Sequence, residues 1–301
     1  MQPMQSSLSQ NKSNTQPMRA AAIAILTLIA ASGCSDYDTH TIGTAFAPAN
    51  SLVSQFVHPV YVEYREGDVR IWGPWADAVV ADADGARLSI TSDDDSLALL
   101  VYGDARGDSL NPRSGQLRID IDRDFALYLN GLSLHSALGP AIEVQADDHI
   151  CYVVVATGSS NVLSDTLYQT QYRDGEILEA DGCLYVSGQL YFDGKGTLSV
   201  RNAAPTRWDA DWGDSIHTHA LYARGGMVCN YALTANLTSL HGDAIHTAGA
   251  EVKLVKGTWN LYPGRDTINS EEAEIAIGAE AKLYVNDSLW IASADTTIVS
   301  Q

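Results

Sequence analysis

From residue 58 onward, apolar and polar positions alternate with a period of two, in short runs closed by Gly, Asp or Pro. Val60-Tyr61-Val62-Glu63-Tyr64 shows the alternation of a half-buried strand. Runs at 68–72, 78–81, 88–90 and 98–102 follow, then longer ones at 116–121 and 125–129. Asn130-Gly131 predicts a turn after the last of these. Residues 150–156 are apolar throughout, as in a strand stacked inside a parallel sheet. Two polar stretches, 165–179 and 202–214, interrupt the pattern and read as loops on the outside.

The pattern repeats most clearly between Ala220 and Ile268. Leu221, Ile245 and Ile268 recur 24 and then 23 positions apart, each within a similar phrase. Within one repeat the strands fall at 244–247, 251–255 and 258–262, and Gly249, Gly257 and Gly264 mark the turns. A unit of this length is too long for one strand and too short for a domain. Three strands per unit, each pairing with its counterpart in the next, predict an all-β solenoid, a parallel β-helix with three strands per coil. Helices are a poor alternative, because Thr258-Trp259-Asn260-Leu261-Tyr262 is weak helix material.

The first 57 residues break the pattern. Residues 1–18 are polar; Arg19 then precedes an apolar run over 20–31, which ends in Ser32-Gly33-Cys34. Charge, apolar stretch and small residues predict a secretory signal over 1–33. The Cys directly after Ser32-Gly33 resembles a bacterial lipobox, which makes Cys34 the expected lipidation site and the membrane anchor. Residues 34–57 read as a tether, and 58–301 as a single domain. Asp36 and Asp38 resemble the acidic tag of outer-membrane lipoproteins that face the cell exterior.

Charge narrows the partners. The 301 residues carry 18 Lys and Arg against 37 Asp and Glu, a net charge of −19. Such a surface repels nucleic acid and tolerates neutral sugars, cationic partners and divalent metals. With Cys34 lipidated, Cys151, Cys183 and Cys229 are an odd number in apolar runs, expected as buried inert thiols. No Cys or His spacing predicts zinc. His217, His219, His241 and His246 cluster in sequence, but alternation spreads them over both faces, so packing or turn roles are expected.

Trp208-Asp209-Ala210-Asp211-Trp212-Gly213-Asp214 is the sharpest local constellation. Asp209, Asp211 and Asp214 are candidate calcium ligands, since calcium takes about 6–8 hard oxygens. Trp208 and Trp212 offer aromatic faces to pyranose rings, as do Tyr168 and Tyr172 in the preceding insertion. Asp181, Asp243 and Asp266 precede the first strands of successive repeats. Asp243 and Asp266, with Glu271 one strand further on, are candidate cation ligands. Turn formation is the competing role for each Asp.

Several phrases in one order carry a family resemblance: Leu127-Tyr-Leu-Asn-Gly131, Gly139-Pro-Ala-Ile142, Asn161-Val-Leu-Ser-Asp165, Gly194-Lys-Gly-Thr-Leu-Ser-Val200, Gly242-Asp-Ala-Ile-His-Thr247 and Asp266-Thr-Ile268. The series resembles the carbohydrate-binding β-helix family first described for a clostridial cell-surface protein and common as lipoproteins of gut anaerobes. The resemblance covers roughly residues 60 to 285. It implies a right-handed parallel β-helix, shaped like pectate lyases, that binds polysaccharide and calcium. Ser215, Ala244 and Thr267 follow the Asp of three phrases, where the family has Asp or Gly. The expectation is a monomeric, non-catalytic lipoprotein of the outer membrane that binds polysaccharide, an acidic plant or host glycan, with calcium. A calcium-dependent polysaccharide lyase and a structural or adhesive surface protein are the alternatives. A lyase needs a Lys or Arg base, and no basic residue clusters with acids apart from Arg265 beside Asp266.

Overall fold

The computed structural model describes residues 53–301, apart from 66, 107–113, 167–170, 174–175, 179–180, 210–212, 293–295 and 300–301. Strands dominate. β1 (His58–Arg65) and β2 (Asp68–Trp72) form an antiparallel pair, and so do β3 (Val80–Asp84) and β4 (Arg87–Thr91). Then come β5 (Leu97–Ala105), β6 (Gln116–Asp120) and the long β7 (Phe125–Ser136). β8 (Ile142–Gln145), β9 (Ile150–Val155) and β10 (Ser160–Asp165) follow. A small hairpin, β11 (Gln171–Arg173) with β12 (Glu176–Leu178), precedes β13 (Gly182–Val186), β14 (Gln189–Gly194) and β15 (Thr197–Asn202). A second hairpin, β16 (Arg207–Asp209) with β17 (Asp214–Ile216), precedes β18 (His219–Ala223), β19 (Met227–Cys229) and β20 (Thr234–Ser239). The chain continues through β21 (Ile245–His246), β22 (Val252–Tyr262), β23 (Ile268–Asn269) and β24 (Glu274–Val285). β25 (Ser288–Ala292) and β26 (Thr296–Val299) end it.

The expected right-handed β-helix solenoid, with three separate strands per coil, is corrected here. The largest sheet closes on itself. β7 pairs β9 through 125–129 and β10 through 133–136. β22 pairs β19 through 252–254 and β20 through 258–262. With β9–β14–β19 and β10–β15–β20 between them, all parallel, eight strands complete a closed barrel. A second eight-stranded sheet runs β23-β21-β18-β13-β8-β6-β4-β3.

The physical reason lies at two glycines. Gly131 and Gly257 were expected to end strands, but both lie inside them, at φ of 72° and 103°. Lacking a Cβ, glycine bends the strand without breaking it. β7 and β22 therefore run on as strands of 12 and 11 residues and join what looked like separate columns. The sequence repeat survives as register: Leu221 pairs with Ile245, and Ile245 with Ile268.

One apolar core runs through both sheets, with Leu127, Val153, Phe192 and Leu254 from the barrel and Ile142, Leu184, Leu221 and Ile245 from the second sheet. Trp259 is its largest fully buried side chain. β9 reads as continuously apolar because both its faces are covered. Tyr152, on its outer face, packs against Phe56 at 5.4 Å between ring centroids. β10, β15 and β20 alternate strictly, and their outer faces stay half exposed. β25 and β26 lie antiparallel on β24 and occupy its edge, where another chain would otherwise pair.

Candidate functional site

At the ends of β7, β10, β15 and β20 stands a row of buried polar residues in register: Ser136, Asp165, Asn202 and Ser239. Asn202 donates from Nδ2 to both Asp165 oxygens at 3.0 Å, and the Ala203 amide donates to Oδ1 at 3.1 Å. Ser239 donates to the Thr218 carbonyl, and Thr218 donates to Asn202 Oδ1. These bonds satisfy backbone and side-chain groups where the chain leaves the barrel for the second sheet. Burial outweighs them at Asp165 and pushes its carboxyl up to about 7.

Both insertions leave from this row. The β11–β12 hairpin follows β10, and the β16–β17 hairpin follows β15. Tyr168, Asp211 and Trp212 lie outside the described residues, as does Cys34. Tyr172 is placed by backbone alone, on β11. Asp209 and Asp214 are likewise placed by backbone, as register partners across the second hairpin. Trp208 is 65% exposed, the most open aromatic side chain among the described residues.

Beside these hairpins lies a polar face on β10, β15, β20, β22 and β24. One row reads Val162, Ser199, Asn236, Asn260 and Tyr284. Asn260 donates to Asn236 at 2.8 Å, and Asn236 donates to Ser199 at 3.0 Å. A second row reads Ser164, Arg201, Thr238 and Tyr262, and a third Ser160, Thr197, Thr234, Thr258 and Lys282. All of these are half-buried or exposed. The face thus carries hydroxyls, amides, two tyrosine rings and one guanidinium at strand spacing, about 4.8 Å. Adjacent ring hydroxyls of a sugar need this mixture of donors and acceptors.

The second sheet holds a different cluster. Asp243 is fully buried; its Oδ2 lies 2.9 Å from His246 Nδ1 and 3.3 Å from His219 Nδ1. The Asp266 amide donates to Oδ1 at 3.0 Å. The two imidazoles stack at 4.1 Å, 8° from parallel, with the Tyr222 ring edge-on to both. Burial alone would raise the Asp243 carboxyl, but the imidazoles beside it and the Asp266 amide hold it below the usual carboxylate range. Burial pushes His219 below the usual histidine range, against the pull of Asp243. Two contacts compete for His219 Nδ1, which cannot both accept the Asp243 amide proton at 3.0 Å and donate to Oδ2. The amide proton is fixed, so Nδ1 accepts and the neutral ring carries its proton on Nε2.

Of the acids singled out from sequence, Asp243 and Asp266 thus meet in a turn, through an amide rather than through facing carboxylates. Asp266 and Glu271 are exposed. Glu271 Oε1 stands 3.6 Å from His246 Nε2. The expectation that alternation separates the histidines fails for His219 and His246. Asp243 and Ala244 are not strand residues, so the period of two does not carry from one histidine to the other. The repeat could have shown it, because Tyr222 and His246 are register partners three residues after His219 and Asp243. His217 instead contacts the His241 carbonyl at 2.9 Å. Cys151, Cys183 and Cys229 are free and buried.

A family model described as carbohydrate-binding domain-containing protein matches residues 110–297, more than half of the chain. No curated protein and no solved structure matches it.

Proposed function

The chain belongs to the carbohydrate-binding domain-containing protein family, and from that premise we propose that it holds polysaccharide on the polar face of β10, β15, β20, β22 and β24 without cleaving it. The observation that carries this reading is the set of half-exposed rows of Ser, Thr, Asn, Tyr and Arg, with the exposed Trp208 on the hairpin that follows β15. A parallel sheet covered on both faces has no use for such rows. An extended glycan laid across the strands meets a repeated set of donors and acceptors. Trp208 offers a ring face for the apolar side of a pyranose.

Calcium assistance belongs to the same proposal, at the turn of the second hairpin, where Asp209 and Asp214 are paired by register. Asp243 does not fit calcium, since its oxygens face imidazoles and an amide. Arg19, the apolar run and Ser32-Gly33-Cys34 support a lipid anchor at Cys34, on the outer membrane and facing outward. The reading takes the protein as a monomer.

The test is retention on a panel of cellulose, pectins and host glycans, with calcium and with chelator, while absorbance of unsaturated uronate is followed. Retention without new absorbance is expected, with about a tenfold loss for Trp208→Ala or Tyr262→Ala (about 1.4 kcal/mol). Rising absorbance would make the protein a lyase. Absence of retention on every glycan would leave a structural or adhesive role.

A further inference from the structure

We propose that His219, Asp243 and His246 form a binding site for one divalent transition-metal ion of the zinc class. One donor atom from each of the three lies within 4.8 Å of the others. Two imidazoles and a carboxylate are the donor set of zinc, cobalt or nickel, not of calcium or magnesium. Donors bound at about 2.0–2.1 Å in a tetrahedron stand roughly 3.3 Å apart. The Asp243 Oδ2 distances to the two Nδ1 atoms are 3.3 and 2.9 Å, already at that scale.

Three further features point to a cation. Asp243 Oδ2 faces the Nδ1 atoms of both imidazoles at once, at 3.3 and 2.9 Å, so that three potential ligand atoms converge where a positive ion would hold them together. Asp243 is buried, and no Lys or Arg among the described residues forms an ion pair with it. Glu271 Oε1 stands 3.6 Å from the other nitrogen of His246, so that with Nδ1 on the ion a small tilt of the ring would bring Nε2–H within reach of that carboxylate. A carboxylate behind a ligating histidine fixes its tautomer and orientation. Asp243 Oδ1 is similarly fixed by the Asp266 amide.

The present ring planes need one adjustment. Rings 8° from parallel do not aim both lone pairs at one point, so one must tilt. His246 has a side chain 12% exposed on a two-residue strand, whereas His219 is packed more deeply, so His246 tilts, while His219 Nδ1 exchanges the Asp243 amide for the ion. Water completes the fourth position. Imidazole nitrogens and the carboxylate ligate only in their unprotonated forms, so affinity falls with acid.

The test uses the purified, chelator-treated full chain. Calorimetric titration with zinc chloride should give one ion per chain, unaffected by excess calcium. Cobalt(II) should give the visible absorption of a tetrahedral nitrogen- and oxygen-ligated ion. His246→Ala should lose at least about tenfold in zinc affinity, while Glu271→Gln, at an exposed position, should weaken it less. Saturable zinc binding that His246→Ala leaves intact would overturn the proposal. So would a wild-type protein that binds no zinc or shows no tetrahedral cobalt spectrum, whatever the fate of the variants.

Discussion

At the scale of single residues, the buried polar row makes the sharpest forecast. Asp165 titrates near 7 in the folded chain because burial raises it, against an ordinary value of 3.8. Between those values the unfolded chain has released the proton and the folded one still holds it. Stability therefore falls as pH rises from about 4 to about 7, by on the order of 4 kcal/mol, and then levels off. Urea midpoints across that range check it, and Asp165→Asn should flatten this part of the profile. The buried thiols give a second forecast. Burial pushes Cys229 up to about 12 and holds Cys151 and Cys183 well above the usual thiol range, so none is a thiolate at neutral pH. An aromatic disulfide reagent should modify all three only after denaturant unfolds the protein.

At the scale of elements, the bent strands decide the architecture. A Cβ at Gly257 would stand 2.8 Å from the Leu233 carbonyl oxygen, at a φ that side chains rarely adopt. Gly257→Ala should cost about 1–3 kcal/mol, read as a lower urea midpoint at unchanged slope. Two residues on, Trp259 packs edge-on against Phe192 at 6.0 Å and donates from Nε1 to the Lys256 carbonyl. Trp259→Ala should cost about 3–5 kcal/mol, enough to consume much of the stability of an ordinary domain. Strand positions were largely legible in the sequence, because burial on one face leaves alternation and burial on both leaves a run such as Ile150–Val155. Strand ends were less so, since a glycine that bends a strand and one that ends it look alike until the partner strand is known.

At the scale of the whole molecule, charge and face act together. A net charge of −19 repels acidic polysaccharide, while hydrogen bonds and stacking act on neutral and acidic chains alike. Chelation should therefore weaken retention on a uronate polymer more than on cellulose, and added salt should partly restore it. Equal losses on both would place calcium in the fold rather than between protein and glycan. The barrel and second sheet share one core and pair residues far apart in sequence. Loop closure must precede most of these contacts, so refolding should take milliseconds to seconds or longer.

The amino-acid sequence alone determined the all-β character, the spacing from Leu221 to Ile245 to Ile268, the buried thiols and the two insertions. Each of these follows from local alternation, composition or breaks in a repeat, which neighbours along the chain specify. It also carried the family resemblance in the order of short phrases. Tertiary structure decided the rest. Closure of eight strands into a barrel depends on β7 pairing with both β9 and β10, and β22 with both β19 and β20. The meeting of His219, Asp243 and His246 depends on a turn whose residues break the strand period. Sequence patterns report which face a residue takes within its own strand, whereas a site depends on which strand lies alongside, and hydrogen bonding between distant segments fixes that.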